Sequence, residues 1–220
     1  MILLGFDTAT LTVSVALTRD GEVLFADDAG AAPSSEVLLP LVDRALSTAG
    51  LGPADLGGIA CGAGPGSFTG LRIGHATAKG LSLALGVPLY LPSSLAALAL
   101  GAAADRPVLA VLDARRKEVF AGLYAPDGTP LADEAVGPPD LMLALAGDTR
   151  PVVVGDGAAA YPELAARAGE VRLGARQTPT GLAICRLART PVVLASAAPT
   201  YLRGADAIAK PPRPPFSRRR

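Results

Sequence analysis

The stretch that most constrains the fold is residues 62–86, GAGPGSFTGLRIGHATAKGLSLALG. Its first six positions hold three glycines, a proline and a serine, residue types that favour turns. From about residue 69 the sequence consists of good or neutral helix formers and predicts a helix. Gly70, Gly74 and Ala78 stand four residues apart, so one face of this helix carries almost no side chain. Such a face lets another backbone approach closely, either inside the domain or in a partner.

Strand-like segments in both halves of the chain predict an α/β fold. Residues 2–6, 12–18 and 22–26 are short apolar or alternating runs, and an Asp-Gly pair marks a hairpin turn. They predict a three-stranded antiparallel meander, followed by a helix, a strand and a helix. The second half restarts in the same order, with a third strand predicted at residues 131–136 and a later helix over 161–168. This order predicts two similar α/β subdomains, each with a mixed sheet opened by a meander.

The domain boundaries follow from the repeated order. Residues 1–104 are predicted to form the first subdomain and residues 105–209 the second. The last helix of the second subdomain is expected to pack back on the first subdomain. Residues 210–220, KPPRPPFSRRR, are rich in proline and arginine and predict a disordered tail.

Two helices of the first subdomain, predicted over residues 34–49 and from about 69 to 85, have wide apolar faces. At 100° per residue, apolar and small residues cover about 200° of the first helix and about 240° of the second. A helix that lies on one sheet needs little more than about 100°. Each helix therefore has more apolar surface than one neighbour covers, which indicates a further contact.

Composition limits the classes of function. The chain has 220 residues, 50% of them hydrophobic, and 20 acidic and 20 basic side chains, so it indicates no broad basic surface for nucleic acid. Cys61 and Cys185 are far apart and predict buried thiols in a reducing compartment. The N-terminus does not resemble a signal peptide, and no apolar run approaches the ~20 residues of a membrane span. We therefore expect a cytoplasmic protein with no membrane partner.

Two segments are candidates for binding phosphate. The glycine-rich loop matches neither G-x-x-x-x-G-K-[ST] nor G-x-G-x-x-G, so a tight strand-to-helix turn is favoured over an anion site at the helix N-terminus. Asp7, Thr8 and Thr10 follow the first strand. In sugar-kinase and actin-like folds this turn embraces phosphate, and its aspartate acts on a metal. The alternative is a turn closed by its own side chains.

Few residues are suited to catalysis or metal binding. His75 is the only histidine, so no His-Glu-x-x-His site exists, and a Ser-His-Asp triad would depend on this residue. Arg72, His75 and Lys79 share a polar helix face, which predicts an exposed His75. Residues 113–118, DARRKE, predict a solvated hairpin tip rather than a catalytic cluster. No metal site is predicted.

Several stretches of the chain resemble the bacterial TsaB family. They are GFDTATLTVSVAL at 5–17, SSEVLLPLVDRAL at 34–46, GPGSFTGLRIGHATAKGLSLALGVP at 64–88, LDARRKEVFAGLY at 112–124 and PTYLR at 199–203. They follow the family in order and spacing, cover nearly the whole chain, and include the highly specific GPGSFTGLRIG. The resemblance implies the actin-like ATPase fold, which is RNase H-like, and a subunit that is not an enzyme by itself.

The resemblance also implies partners. TsaB proteins support a larger catalytic paralogue, TsaD, which transfers threonylcarbamoyl to adenosine in tRNA, and a small ATPase, TsaE, joins the complex. The two wide-faced helices are then expected to bind TsaD, or to form a homodimer in its absence. The chain is expected to contact tRNA only as part of the complex. The residues expected at this interface are Leu38, Leu41, Val42, Ala45, Gly70, Ile73, Gly74, Ala76, Thr77 and Ala78.

The resemblance further implies that the catalytic metal pair is lost. TsaD carries His-x-x-x-His, and the aligned residues here are Ser94 and Leu98. They cannot share a metal as two histidines at i and i+4 do. No cofactor is therefore expected, with ATP or ADP bound only at the interface of the complex. The alternative is an active nucleotide-dependent phosphotransferase of the same fold, with Asp7 on a metal; a peptidase is disfavoured because His75 stands alone.

Overall fold

Two five-stranded mixed sheets form the framework of the chain. The computed structural model describes residues 1–30, 32–166, 168–172 and 177–203. The first sheet contains β1 (Ile2–Asp7), β2 (Val13–Arg19), β3 (Glu22–Ala29), β4 (Gly58–Cys61) and β5 (Leu89–Tyr90), in the spatial order β3-β2-β1-β4-β5. The second sheet contains β6 (Val108–Arg115), β7 (Glu118–Tyr124), β8 (Ala135–Gly137), β9 (Val152–Val154) and β10 (Glu170–Val171), in the order β10-β9-β6-β7-β8. Counted from its own first strand, each sheet has the same order.

Each sheet opens with an antiparallel meander. β1 pairs with β2 and β2 with β3 in antiparallel fashion, as do β6 with β7 and β7 with β8. β4 and β9 then add in parallel to β1 and β6. Asp20 and Gly21, between β2 and β3, both have positive φ, as tight hairpin turns require. This topology confirms the predicted fold class of two similar α/β halves.

Helices cover both faces of each sheet. Within the described residues they are α1 (Ser34–Thr48), α2 (Phe68–Leu85), α3 (Ser94–Gly101), α4 (Pro139–Leu143), α5 (Asp156–Ala160) and α6 (Gly181–Leu187). α1 and α2 lie on the outer face of the first sheet, α4 and α5 on the outer face of the second, and α3 and α6 between the sheets. Of the helices described, none is both long enough and apolar enough to cross a bilayer.

Small residues let α6 approach the first sheet closely. A Cβ on Gly5 of β1 would lie 2.4 Å from Cys185 Sγ, and a Cβ on Gly181 would lie 2.6 Å from the backbone nitrogen of Ala16. The last described helix therefore packs back on the first half of the chain. Cys61 and Cys185 are both free and buried, as predicted.

Two predicted elements of the second half are shorter or shifted. The third strand was predicted at residues 131–136, but β8 covers only Ala135–Gly137. The helix predicted over 161–168 is wrong, because α5 ends at Ala160 and a short 3-10 helix, Pro162–Ala166, follows. Tyr161 between them leaves the helical region, since the residue before a proline is driven from it. The predicted tail, residues 210–220, lies outside the described residues.

Candidate functional site

The carboxyl end of β1 meets the glycine-rich loop at the middle of the first sheet. Asp7, the last residue of β1, has an exposed fraction of 0%. Ser94 Oγ donates a hydrogen bond to Asp7 Oδ2 at 2.6 Å, and the backbone nitrogen of Ala9 donates to Oδ1 at 2.8 Å. A Cβ on Gly62 would lie 1.9 Å from Oδ2, so only glycine fits beside this carboxyl group. The chain itself therefore encloses Asp7.

The enclosure changes the acidity of Asp7. Burial raises the pKa of Asp7 above its usual value, and the hydrogen bonds from Ser94 and Ala9 offset only part of this effect. Burial without a compensating charge favours the neutral acid over the carboxylate. A phosphate-bound cation needs an ionised carboxylate as its ligand. Without a cation beside it, Asp7 is therefore held towards its neutral form.

The two other candidate nucleotide residues also bond within the chain. Thr8 is buried, and its Oγ1 donates to the carbonyl oxygen of Gly70 at 2.8 Å. Thr10 Oγ1 donates to the carbonyl oxygen of Thr12 at 3.1 Å and accepts from the Thr12 backbone nitrogen at 3.2 Å. The segment thus has the geometry of a turn closed by its own side chains. Nucleotide binding by Asp7, Thr8 and Thr10 stays a prediction.

The residues aligned with the histidine pair of the catalytic paralogue do not fit a metal ion. Ser94 and Leu98 lie on α3 and are buried, with exposed fractions of 0% and 1%. Ser94 Oγ is bonded to Asp7 and also accepts from the backbone nitrogen of Gly64 at 3.2 Å, while Leu98 has no ligating atom. In the part of the chain that the structure describes, no group of three or more His, Cys, Asp or Glu residues is placed to hold a metal ion.

The glycine stripe of α2 packs against the turn after β1. A Cβ on Gly70 would lie 2.0 Å from the carbonyl oxygen of Thr8, and a Cβ on Gly74 would lie 2.3 Å from Thr8 Oγ1. Ala78, the next residue of the stripe, is 0% exposed. Of the two interpretations of the stripe, the structure therefore shows close packing inside the domain.

Most residues expected at a partner interface belong to the core of the single chain. The buried ones are Leu38, Leu41, Val42, Ala45, Gly70, Gly74 and Ala78. The apolar arcs of α1 and α2 are wide because each helix packs both on the sheet and on the other helix. Ala76 is exposed, and Ile73 and Thr77 are half-buried. For these three, contact with a partner stays a prediction.

Other apolar or small residues of this helix pair are exposed. Leu39 of α1 and Leu83 of α2 have exposed fractions of 55% and 72%. Ala76, Gly80 and Ala84 of α2 are also exposed and stand four residues apart. These five residues are termed the outer face below. The spacing of Ala76, Gly80 and Ala84 repeats that of the inner glycine stripe, so the sequence holds a signal for this face, although it does not tell which of the two stripes is exposed.

His75 is buried, so the prediction that it is exposed is wrong. Its exposed fraction is 3%, and among the described residues neither ring nitrogen has a hydrogen-bond partner. Ala78 and Ser82, three and seven residues further along α2, are buried too, which places His75 on the inward side of the helix. Burial lowers the pKa of His75, and the nearby backbone of Gly62 and Ala63 offsets only part of that effect. The buried imidazole is therefore neutral at neutral pH.

The charged turn after β6 is solvated at its tip, as predicted, and anchored at its base. Arg115, Arg116 and Lys117 are exposed and have positive φ. Asp113 pairs with Arg115 at 2.9 Å, and Asp156 Oδ1 accepts from the backbone nitrogen of Asp113 at 2.8 Å. Asp156 was not expected here, because it reaches the turn from α5, beside β9.

The fold is that of the actin-like ATPase class. The activator of 2-hydroxyisocaproyl-CoA dehydratase from Clostridium difficile, solved with bound ADPNP, matches with a TM-score of 0.54 over 86% of this chain and 93% of that one. Its sequence identity is 9%, so the likeness concerns the fold alone. The protein-family model TsaD, described as tRNA N6-adenosine threonylcarbamoyltransferase, matches residues 30–185.

Two relatives match over nearly their whole length. The tRNA threonylcarbamoyladenosine biosynthesis protein TsaB of Escherichia coli (strain K12) is 37% identical over 96% of this chain and 99% of that relative. The solved structure of YeaZ from Pseudomonas aeruginosa matches with a TM-score of 0.82 and 30% identity, over 91% of this chain and 99% of that one. The chain therefore belongs to the TsaB family, which is involved in tRNA threonylcarbamoyladenosine biosynthesis. This confirms the resemblance found in the sequence.

Proposed function

We propose that this chain is a non-catalytic scaffold subunit, which binds and supports a TsaD-like catalytic subunit in the formation of threonylcarbamoyladenosine in tRNA. The observation that carries the proposal is the closed carboxyl edge of the first sheet. Asp7 is enclosed there by Ser94 and Gly62, and Leu98 has no ligating atom. An aspartate enclosed in this way supports a structural role for this edge over the binding of a substrate phosphate and its cation.

The surface proposed for the catalytic subunit is the outer face. A glycine inside a helix costs about 0.5–1 kcal/mol relative to alanine, so it usually has a packing reason. At Gly80 the described residues supply no such reason, because a Cβ there would meet none of their atoms within 4 Å. A helix of a partner that approaches α2 at Gly80 would supply it. Leu39 and Leu83 would then bury apolar side chains that lie in water in the single chain.

The other partners follow from the same proposal. Without the catalytic subunit, the outer face would pair two copies of this chain in a helix bundle. A TsaE-like ATPase and tRNA would join the assembled complex in the cytoplasm, where tRNA is modified. The chain would carry no cofactor of its own, and ATP or ADP would bind only at the interface of the complex.

Co-expression with the TsaD-like subunit, followed by size-exclusion chromatography, tests the proposed surface. Gly80→Leu and Leu83→Asp are expected to abolish co-elution, because they place bulk or an unpaired charge in the contact. Both variants should be folded, since neither position is packed, and Gly80→Leu should melt at or slightly above the temperature of the native chain because leucine is a better helix former than glycine. The matched control is Leu131→Asp, which changes a leucine of 51% exposed fraction in the second subdomain and is expected to leave co-elution intact.

Two outcomes would contradict the proposal. If Gly80→Leu and Leu83→Asp both co-elute normally, the outer face is not the contact. If the purified chain alone modifies tRNA, it is an enzyme and the scaffold role fails.

A further inference from the structure

The hairpin that opens the first sheet has the residues that its turn requires. Asp20 and Gly21 form the two-residue loop between β2 and β3, and both have positive φ. Positive φ at both loop positions is the mark of a type I′ turn, which favours Asn-Gly or Asp-Gly pairs. Glycine has no Cβ, and a short aspartate tolerates the left-handed region, so this hairpin turns with little strain.

The hairpin that opens the second sheet has the same turn without those residues. Arg115 pairs with Glu118 across it, so its loop again has two residues. These are Arg116 and Lys117, with φ of 56° and 62°, and Arg115 before them has a φ of 62°. A long side chain in the left-handed region brings its Cβ too close to the following carbonyl oxygen. Residues 115–117 are termed the basic turn.

The basic turn therefore holds three consecutive cations in a backbone conformation that disfavours them. The first hairpin shows that this chain uses the favoured residues where a turn has only to reverse the strand. A residue type that opposes its own backbone is typical of a functional position, because the folded chain holds it there at a cost. The common property of these three residues is positive charge, so an anion is the ligand that they fit.

Contacts on both strands hold the basic turn in one arrangement. Asp113 Oδ1 accepts from the backbone nitrogen of Arg115 at 2.8 Å, and its Oδ2 lies 2.9 Å from Arg115 Nη1. Asp156 Oδ1 accepts from the backbone nitrogen of Asp113 at 2.8 Å. Arg203 Nη1 donates to the carbonyl oxygen of Ala114, also at 2.8 Å. A ligand that binds the basic turn therefore need not order this backbone first.

The basic turn presents charge without apolar surface. All three of its side chains are exposed, and that of Arg115 has an exposed fraction of 72% although it pairs with Asp113. Lys117 forms no ion pair with a carboxylate in the part of the chain that the structure describes. In β6 and β7, every residue of which is described, no large apolar side chain is exposed. An anion can thus reach these cations from solvent, with no apolar anchor beside them.

We infer that the basic turn binds the phosphate backbone of RNA. Exposed arginine and lysine side chains make such contacts, which position a protein on nucleic acid without reading its sequence. A protein partner fits less well, because the core of a protein interface is depleted of charge and rich in aromatic residues. A free nucleotide also fits less well, because small-molecule sites are concave and bury most of their ligand.

The inference rests on the proposed function only for the choice of RNA as the source of the phosphates. Two or three phosphate contacts give weak binding, in keeping with a chain whose acidic and basic residues balance. The basic turn would therefore orient an RNA that the assembled complex holds. This adds a direct contact to the expectation that the chain contacts tRNA only as part of the complex.

Fluorescence anisotropy with the full-length chain and a labelled RNA duplex, from about 50 mM to about 200 mM salt, tests the inference. The logarithm of the binding constant falls with the logarithm of the salt concentration by about 0.9 for each phosphate contact. Arg116→Asn/Lys117→Gly should therefore make this slope shallower by about 2 and weaken binding at the lowest salt about tenfold. The matched control is Arg150→Asn/Arg189→Asn, which removes two exposed arginines elsewhere and should bind like the native chain.

Single substitutions at Lys117 separate the contact from the fold. Lys117→Gly relieves the left-handed backbone, so we expect a Tm about 2–4 °C higher together with a salt slope shallower by about 1. Lys117→Gln removes the charge but keeps a side chain with the same strain, so it should reduce the slope equally without raising Tm. A gain in stability with a loss of binding is the result expected of a residue that serves a ligand rather than the fold.

Any of four results would overturn the inference. The first is a native salt slope in Arg116→Asn/Lys117→Gly, or an equal reduction in the control. The second is an unchanged or lower Tm for Lys117→Gly, which would remove the argument from the backbone. The third is binding of a fluorescent ATP analogue as tight as that of the duplex, which would assign the phosphate to a free nucleotide. The fourth is loss of co-elution with the TsaD-like subunit in the double variant without loss of RNA binding, which would assign the turn to a protein contact.

The proposed scaffold role and this inference can fail separately. Leu83→Asp lies on the outer face and should bind the duplex like the native chain, whether or not it still co-elutes with the TsaD-like subunit. Arg116→Asn/Lys117→Gly should co-elute with that subunit like the native chain while its RNA binding is weakened.

Discussion

Two glycines of α2, six residues apart, have opposite surroundings. A Cβ on Gly74 would lie 2.3 Å from Thr8 Oγ1, whereas a Cβ on Gly80 would meet no atom within 4 Å. Gly74 is needed because the turn after β1 approaches the helix there, whereas no described residue approaches the helix at Gly80. The same small-residue spacing thus marks a core contact on one side of the helix and a bare surface on the other. Substitutions on the two sides of α2 test this difference.

The largest expected effect on stability is that of a charged side chain placed on the side of α2 that packs inside the domain. Ala78→Arg would bury a guanidinium at a position that is 0% exposed, without an acidic partner in the spacing of the helix. We expect a loss of about 4 kcal/mol or more in the free energy of unfolding, enough to unfold many domains of this size. Ala76→Arg, two residues away and exposed, is the control and should remain folded. Urea denaturation of both variants is the measurement, and equal stability would erase the distinction between the two sides.

A smaller change on the inner side is Gly74→Ala. Its single added methyl group would collide with Thr8 Oγ1, which is fixed by its bond to the carbonyl oxygen of Gly70. The turn after β1 must therefore shift, and we expect a loss of about 1–3 kcal/mol. Thermal and urea melts measure it. A native-like stability would mean that the turn yields easily and that Gly74 is not required by packing.

The fold could be predicted from the sequence because its signals are local. The alternating run of β2 and the Asp-Gly turn after it lie within a few residues of each other, and so do their counterparts around β7. The two meanders, and from them the two similar halves, follow from such patterns. The break at Tyr161 was missed although Pro162 is visible, because the apolar residues after it continue a helical period.

The candidate site could be predicted only in part because its contacts are not local. Asp7 and Ser94 are 87 residues apart, and no pattern in the sequence joins them. The helix period identifies which residues share a side of α2 but not which side meets the sheet. The burial of seven expected interface residues could therefore not be predicted from the sequence, and the predicted exposure of His75 was wrong. Gly70, Gly74 and Ala78 have the same spacing as Ala76, Gly80 and Ala84, so only the folded chain distinguishes them.

The burial of His75 on the inward side of α2 predicts that the stability of the fold depends on pH. Because burial lowers the pKa of His75 in the folded chain, the unfolded chain binds a proton first as the pH falls through about 6.5. The fold is therefore fully stable above that pH and loses stability below it, by about 1.4 kcal/mol for each unit of pKa lowering. His75→Leu should remove this loss and be at least as stable at neutral pH, since neither ring nitrogen has a partner among the described residues.

Urea denaturation of the native chain and His75→Leu, from about pH 7.5 to about pH 5.5, measures this contribution as the difference between the two slopes. Asp7 titrates with the opposite sign, so only that difference isolates His75. Parallel slopes in the two proteins would show that His75 is not the group responsible.

At Asp7 the expected effect is a gain in stability. Its pKa is raised above 3.8, so the fold favours the protonated acid, and that contribution is lost as the pH rises through the folded pKa. Asp7→Asn keeps an acceptor for Ala9 and a polar partner for Ser94 but carries no charge. We expect a gain of about 1 kcal/mol near neutral pH, or roughly 2–4 °C in Tm. The phosphotransferase alternative instead predicts specific ATP hydrolysis that Asp7→Asn abolishes, which assays of the purified proteins decide.

The smallest expected effect is that of a substitution at Gly80. There an added methyl group is expected to raise the free energy of unfolding, whereas at Gly74 it is expected to lower it. Gly80→Ala adds a methyl group that meets none of the described residues, and alanine loses less backbone entropy on folding than glycine. We therefore expect a gain of about 0.5–1 kcal/mol in the free energy of unfolding. If a partner helix approaches at Gly80, the same methyl group should weaken co-elution with the TsaD-like subunit while the isolated chain becomes more stable. A stabilised variant that binds its partner as tightly as the native chain would leave Gly80 unexplained and would place the partner contact away from this residue.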